Sequence, residues 1–247
     1  MEQHALGSDH PGTLWSMNQL AFILNDEQRY AEAEKIFRET LAADTRVLGP
    51  DHVNTRAALT NLAISLMYEG RLAEAEAVQR EELARTRKIM GPDHPQTQNS
   101  MGNLAITLAK EGKFGEAEKF QREAMAIGMR TLGPTGETTR NSISNLATTL
   151  AYEKRADESI ALFEKLLEYS SKAEGPALRD AHYQYAAGLS ILGRKDEAFQ
   201  QLDEAVKAGF DDGDQLSTDD DLKALRGDPR FQALVDEIKK THAAASK

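Results

Sequence analysis

The chain of 247 residues sets 40 Asp and Glu against 30 Lys and Arg, for a net charge of -10, and it contains no Cys. Disulfide frameworks, thiol catalysis and thiolate-based zinc sites are therefore excluded, and the lack of Cys fits a reducing compartment or simple indifference to redox; a cytoplasmic setting is expected. The acidic balance disfavours sequence-independent adhesion to nucleic acid or anionic lipid, and no apolar run approaches the ~20 residues needed to span a bilayer.

Four loops recur in phase. LGSDHPGT (6–13), LGPDHVNT (48–55), MGPDHPQT (90–97) and LGPTGETT (132–139) begin 42 residues apart. The register continues through Leu20, Leu62, Leu104 and Leu146, through Ala21, Ala63, Ala105 and Ala147, and through Leu24, Leu66, Leu108 and Leu150. Each loop reads as a helix start: Asp9, Asp51 and Asp93 are expected to cap, and Pro11 and Pro95 fall in the first turn, where a missing N–H costs nothing. Leu59, Leu62, Ala63 and Leu66 then follow at i, i+3, i+4 and i+7, one face of an amphipathic helix.

A second helix follows the break at Gly70, with Leu72, Ala75, Val78 and Leu83 on its buried side. Glu76 stands four residues before Arg80, as Glu34 does before Arg38 and Glu118 before Arg122. Such pairs support a solvated outer face by about 0.3 kcal/mol each. A lone helical hairpin cannot cover its apolar face, so neighbouring copies are expected to stack into an all-α solenoid.

The fifth copy is shorter by three residues. Aligning Ala198 with Ala33, Ala75 and Ala117 places its helices over 180–191 and 195–207. Gly209 and Phe210 open an acidic turn, followed by short helices expected over 219–226 and from Pro229, after an Asp228 cap. Phe231, Leu234, Val235 and Ile238 lie at helical spacing, suited to cover the last repeat's edge. The expected organisation is thus about five helical hairpins over 6–209 (copies 6–47, 48–89, 90–131, 132–173 and 174–209), capping helices over 210–240, and a disordered tail over 241–247.

The unit LGPDHPxT…NLAxxLxxxGRxxEAExxxRExL resembles a tetratricopeptide repeat of the 42-residue kinesin-light-chain type, a type also similar to regions attached to bacterial serine/threonine kinases. The segment GFDDGDQLSTDDDLKALRGDPRFQAL resembles the closing segment of bacterial tetratricopeptide proteins. The resemblance covers 6–209 and implies a right-handed α-solenoid whose concave face is lined by first-helix residues. The fourth copy departs from it, with Thr135-Gly136 in place of Asp-His and with Ile160 and Glu164 in place of the Glu-to-Arg pair.

On that basis the residues before the Leu-Ala pair, Gln19, Asn61, Asn103, Asn145 and Gln184, form a row of carboxamides. An amide donates and accepts at once, so such a row suits the main chain of an extended peptide; the alternative is that these groups brace neighbouring helices. Trp15, Phe22, Ile64, Met67, Tyr68, Ile106, Lys110 and Tyr152 are the further peptide-binding candidates, a largely apolar set that would take apolar or aromatic side chains. Phe22, Ile64 and Ile106 read equally well as inter-helix packing. Arg56 and Arg140 are read as rim charges. Lys or Arg is absent from the positions that clamp a C-terminal carboxylate in chaperone-tail binders, which read Ala57, Asn99 and Asn141 here.

No catalytic residues, cofactor or metal are expected. His10, His52 and His94 sit one per copy, too far apart to share a metal, and no phosphate-binding, kinase or hydrolase motif occurs. The expected function is a noncatalytic scaffold that binds a peptide or protein segment, with no nucleic-acid or membrane partner. The alternatives are a homo-oligomer formed through the first helix (Leu14, Trp15, Met17) and a piece of a larger multidomain signalling protein.

Overall fold

A computed structural model of the chain describes residues 7, 9–173 and 175–245. The described residues form twelve α-helices and one 3-10 turn, with no strand. The helices are α1 (Pro11–Asp26), α2 (Tyr30–Val47), α3 (Val53–Tyr68), α4 (Leu72–Met90), α5 (Pro95–Lys110), α6 (Phe114–Thr131), α7 (Glu137–Tyr152), α8 (Ala156–Ser170), α9 (Ala177–Ile191), α10 (Lys195–Lys207), α11 (Gly213–Thr218) and α12 (Pro229–Ala245). The chain divides after Ala117 into two compact units. It is an all-α succession of helical hairpins of the solenoid class, closed by capping helices.

Histidine, not aspartate, caps the first helices. Nδ1 of His10, His52 and His94 accepts the backbone N–H of Gly12, Asn54 and Gln96 at 3.1, 3.2 and 3.0 Å. This corrects the expectation for Asp9, Asp51 and Asp93. An unprotonated imidazole nitrogen reaches the same orphan donor that a carboxylate would. The aspartates Asp9 and Asp51 instead face second helices, at 2.6 Å from Arg46 and 3.5 Å from Arg85. In the fourth copy Gly136 holds the cap position of α7 without a side-chain bond, and a Cβ there would stand 2.7 Å from the Leu132 Cβ.

First and second helices are joined by one turn built on a left-handed residue. Gly70, Gly112 and Gly193 adopt φ 78°, 78° and 80°, while Gln28 and Lys154 hold the same place at φ 60° and 63°. Close approach of the paired helices rests on small residues: Ala21, Ala105, Ala147 and Ala186 on first helices, and Ala33, Ala75, Ala117 and Ala198 on second helices, are all wholly buried. Ser159 replaces that second-helix alanine in the fourth copy, and its hydroxyl donates to the Ala147 carbonyl at 2.8 Å, so the buried polar atom keeps a partner.

In the second unit, Phe163 stacks on Tyr185 and Tyr183 on Phe210, with ring centroids 5.1 and 4.8 Å apart. Phe231, Leu234, Val235 and Ile238 of α12 share a core with Phe199, Leu202, Leu216 and Leu222, which closes the last hairpin. The acidic turn differs from its expected form. Asp212 accepts backbone N–H from Asp214 and Gln215 to start α11, and Asp219 accepts from Asp221 to start a 3-10 turn over Asp220–Leu222. Side chains that cap at two successive places put a short helix, α11, into the expected turn and leave only the 3-10 turn of Asp220–Leu222 where a helix was expected over 219–226. Helix α12 continues to Ala245, into the stretch expected as tail; residues 246 and 247, like Leu6 at the start of the first copy, lie outside the described residues.

Candidate functional site

Each first helix presents a stripe at i, i+4, i+7 and i+11. In the first unit the stripes are Trp15, Gln19, Phe22 and Asp26 on α1; Ala57, Asn61, Ile64 and Tyr68 on α3; and Asn99, Asn103, Ile106 and Lys110 on α5. Every one of these side chains is exposed or half-buried, with Trp15 62%, Phe22 51% and Tyr68 55% exposed. A helix repeats its face every three to four residues, so this spacing lays an amide between two apolar positions on α1 and between aliphatic and small or polar neighbours on α3 and α5. Among the described residues the side chains of Gln19, Asn61 and Asn103 make no hydrogen bond.

The neighbouring amides behave differently. Asn18 accepts from the buried Thr40 hydroxyl and Asn25 from the Ser65 hydroxyl, each at 2.9 Å, so bracing between helices falls to these two and leaves the Gln19 register open. Tyr68 lies flat on Tyr30, with centroids 5.1 Å apart and planes 13° apart, which offers a two-ring platform at the end of α3. Partial burial pushes the Tyr30 phenol above its ordinary value.

The second unit carries its own stripes: Asn141, Asn145, Thr148 and Tyr152 on α7, and Asp180, Gln184, Ala187 and Ile191 on α9. This face is more engaged. Gln184 accepts from the Ser144 hydroxyl at 3.4 Å, the bracing alternative for this register, and Ala187 is buried. Tyr152 donates to Asp221, and Tyr183 donates to Asp219 at 2.6 Å, so the acidic turn ties down two phenols of the first-helix side. Burial foremost, and then these carboxylates, raise both phenol pKa values.

Several candidates stand elsewhere than expected. Met67 packs against the first unit's core and is not on the stripe of α3. Arg56 is buried instead of lying on a rim, its guanidinium 3.4 Å from the Thr86 hydroxyl, and Arg140 donates to the Thr135 carbonyl. Leu14, expected to serve self-assembly, is buried. The residues missed on α1 are Leu20 and Ile23, 50% and 52% exposed. Ile23 does carry a signal in the sequence, since the same register holds Ser65, Thr107 and Thr149 in the next three copies.

Among the described residues, no group of three or more His, Asp and Glu could hold a metal ion, and no helix is long and apolar enough to cross a membrane.

The hairpins, their small-residue contacts and the recurring Leu-Ala register meet their match in a family model for the tetratricopeptide repeat, which fits residues 13–66 and 55–130. Residues 13–130 are tetratricopeptide repeats. No curated protein matches the sequence. Among solved structures, the tetratricopeptide-like repeats attributed to a kinesin light chain of Podosopora anserina, in their Q17M form, share 21% identity at a TM-score of 0.68, over 86% of this chain and 98% of theirs. BtubC of P. vanneervenii shares 19% identity at 0.66, over 80% of each chain. A Rap protein complexed with competence and sporulation factor shares 14% identity at 0.65, over 92% of this chain and 64% of its own. At these identities the likeness is one of fold. Kinesin-light-chain-like repeats are therefore what this chain resembles, and its architecture is that of a protein-interaction scaffold.

Proposed function

We propose that this protein is a noncatalytic scaffold that holds an extended peptide or protein segment against its first helices, and that the first unit's face is the principal contact. The observation that carries this reading is the unengaged amide register of Gln19, Asn61 and Asn103. It is flanked by Trp15, Phe22, Ile64 and Ile106, while the bracing between helices is done by other residues. Amides of this kind can pair with a peptide main chain whatever its sequence, and the apolar positions select side chains by burial. The face has two exposed charges of opposite sign, Asp26 and Lys110, so an apolar or aromatic segment suits it better than a strongly charged one. Asn145 and Gln184 extend the same chemistry within the second unit, in a setting where Gln184 and Tyr152 already have partners.

The test is selection from a displayed peptide library with the full chain, followed by affinity measurement against an Asn61→Ala/Asn103→Ala variant shown by circular dichroism to stay helical. Each lost amide contact is expected to cost about 1 kcal/mol, so the double variant should bind selected peptides roughly 30-fold more weakly. Failure to enrich any peptide, or equal affinity for both proteins, would overturn the reading.

A further inference from the structure

The Glu-to-Arg pairs of the second helices do more than stabilise their own helix. Glu34 bonds Arg38 at 2.7 Å and also takes Arg71 of the next hairpin at 2.8 Å, while Arg38 reaches Glu74 at 3.5 Å. Glu76 and Arg80 repeat this with Lys113 and Glu116, at 2.6 and 2.5 Å. Glu118 and Arg122 repeat it with Arg155 and Glu158, at 2.8 and 3.4 Å. At three successive junctions, then, a Glu-x3-Arg helix gives a carboxylate and a guanidinium to a basic residue and a glutamate three positions on. The giving glutamates are largely shielded, only 14%, 14% and 18% exposed, so these are not the solvated faces expected of the Glu-to-Arg pairs.

The α1–α2 hairpin carries the receiving half of the same arrangement. Arg29 and Glu32 occupy the registers of Arg71 and Glu74. Arg29 bonds Glu32 at 2.7 Å and Glu27 at 3.0 Å, both from its own hairpin, and among the described residues no other helix supplies the further carboxylate that Arg71 and Arg155 receive. The apolar half lies beside it. Leu20 and Ile23 are exposed, whereas Leu62, Leu104 and Leu146, and Ser65, Thr107 and Thr149, are buried at the same two registers. Ser16 is exposed where Ala58, Ser100 and Ser142 are buried.

Two other junctions indicate which side chain faces Ile23. At its register Thr149 takes a hydrogen bond from the Gln121 amide at 2.9 Å, and Gly188 makes room for the Phe163 ring. Ile23 offers neither a hydroxyl nor space, so it suits a small apolar side chain. The α8–α9 junction, where Ile160 and Glu164 replace the pair, also packs. The ionic bridge therefore selects the partner, and burial holds it.

We propose that the α1–α2 edge, made of Ser16, Leu20 and Ile23 with Arg29 and Glu32, docks an amphipathic helix of a protein partner that displays Glu-x3-Arg beside a stripe of small apolar residues. Charge complementarity and the three internal examples specify this occupant. A second folded copy does not fit, because its own Glu34, Glu76 and Glu118 pairs are already engaged. The surface is separate from the amide-bearing face, and its test separates the two.

A helix-constrained peptide with the sequence of residues 72–90, changed at Gln79→Ala, would be titrated into the full chain. Binding is read from the emission of Trp15, the single Trp of the chain and the sequence neighbour of Ser16; the peptide has none. Saturable binding is expected. It should weaken about tenfold when the peptide's charges are reversed (Glu76→Arg, Arg80→Glu) and recover when that peptide meets an Arg29→Glu/Glu32→Arg chain. Leu20→Asp should abolish it, and Asn61→Ala/Asn103→Ala should leave it unchanged. The proposal is overturned by the absence of saturable binding, by equal affinity for both peptides, by indifference to Leu20→Asp, or by loss in the amide variant. Sedimentation that shows a dimer dissolved by Leu20→Asp would overturn it too, by giving the edge to a second copy.

Discussion

Gly188→Ala is the smallest substitution that tests how the last two hairpins are locked together. A Cβ at position 188 would stand 2.2 Å from Cε2 and 2.6 Å from Cζ of Phe163. Carbon atoms settle at about 3.5–4.0 Å, so the ring must retreat by more than about 1 Å. It has nowhere to go: Phe163 is wholly buried and stacked on Tyr185 with planes 14° apart. Overpacking of this kind costs about 1–3 kcal/mol, and the absence of a free direction points to the upper end. Urea unfolding followed at 222 nm should therefore show about 3 kcal/mol lost, with hydrogen exchange faster across 177–207. A repair is available from the chain itself. The preceding junction uses Gln121 on Thr149, so Gly188→Thr combined with Phe163→Gln rebuilds a pair already known to fit. The double variant should be less damaged than the sum of its parts by roughly 1.5 kcal/mol or more, the sign of direct contact. A Gly188→Ala protein within about 0.5 kcal/mol of the parent, or strict additivity in the double variant, would refute the reasoning.

Glu76 is held down to about 2 from its ordinary 4.5 by hydrogen bonds from Lys113 and then Arg80. A carboxylate whose pKa falls on folding contributes stability above pH 4.5 and loses it as the pH drops through 2. Glu76→Gln should thus cost about 1 kcal/mol at pH 7 and progressively less below pH 4.5, as read by urea unfolding at several pH values; a pH-independent cost would count against the bridge. Gln28 pays for a left-handed turn, at φ 60°, that Gly70 and Gly112 make freely. Gln28→Gly should raise stability by about 0.5–1 kcal/mol, Gly70→Gln should lower it, and thermal melts that show the reverse order would exclude strain at this turn.

The architecture was legible because it is written several times. One copy of the Leu-Ala register would leave helix packing ambiguous; four copies in phase, plus a shortened fifth, identify stacked hairpins and even place Ala198 correctly in the buried row. Chemistry repeated with the pattern was harder to read when two residue types suit one job. Asp and His stand side by side in the first three loops, both able to accept an N–H, and only geometry shows that His caps while Asp9 and Asp51 turn to arginines. Pairing within a helix was visible as spacing, whereas the second bond that Glu34, Glu76 and Glu118 make to the next hairpin involves residues 37 positions away, and no local rule announces it.

The candidate sites show the limit more sharply, because identical residues take opposite roles. Leu20 and Leu62 occupy one register, each after a carboxamide and before an alanine, yet Leu62 is core and Leu20 is surface. What differs is the helix lying over each, and that is a property of the assembly, which the segment alone does not contain. Position 23 breaks the tie. A polar residue serves at Ser65 and Thr149, where a helix already covers the site and the hydroxyl finds a partner in Asn25 and Gln121. Isoleucine at 23 gives up that bond and keeps more apolar surface in water, an arrangement whose cost of about 1 kcal/mol or more is recovered only when something apolar is set against it. A repeat that departs from its own pattern towards greater hydrophobicity at an exposed position is therefore informative: it marks the place on this chain where burial is still to come.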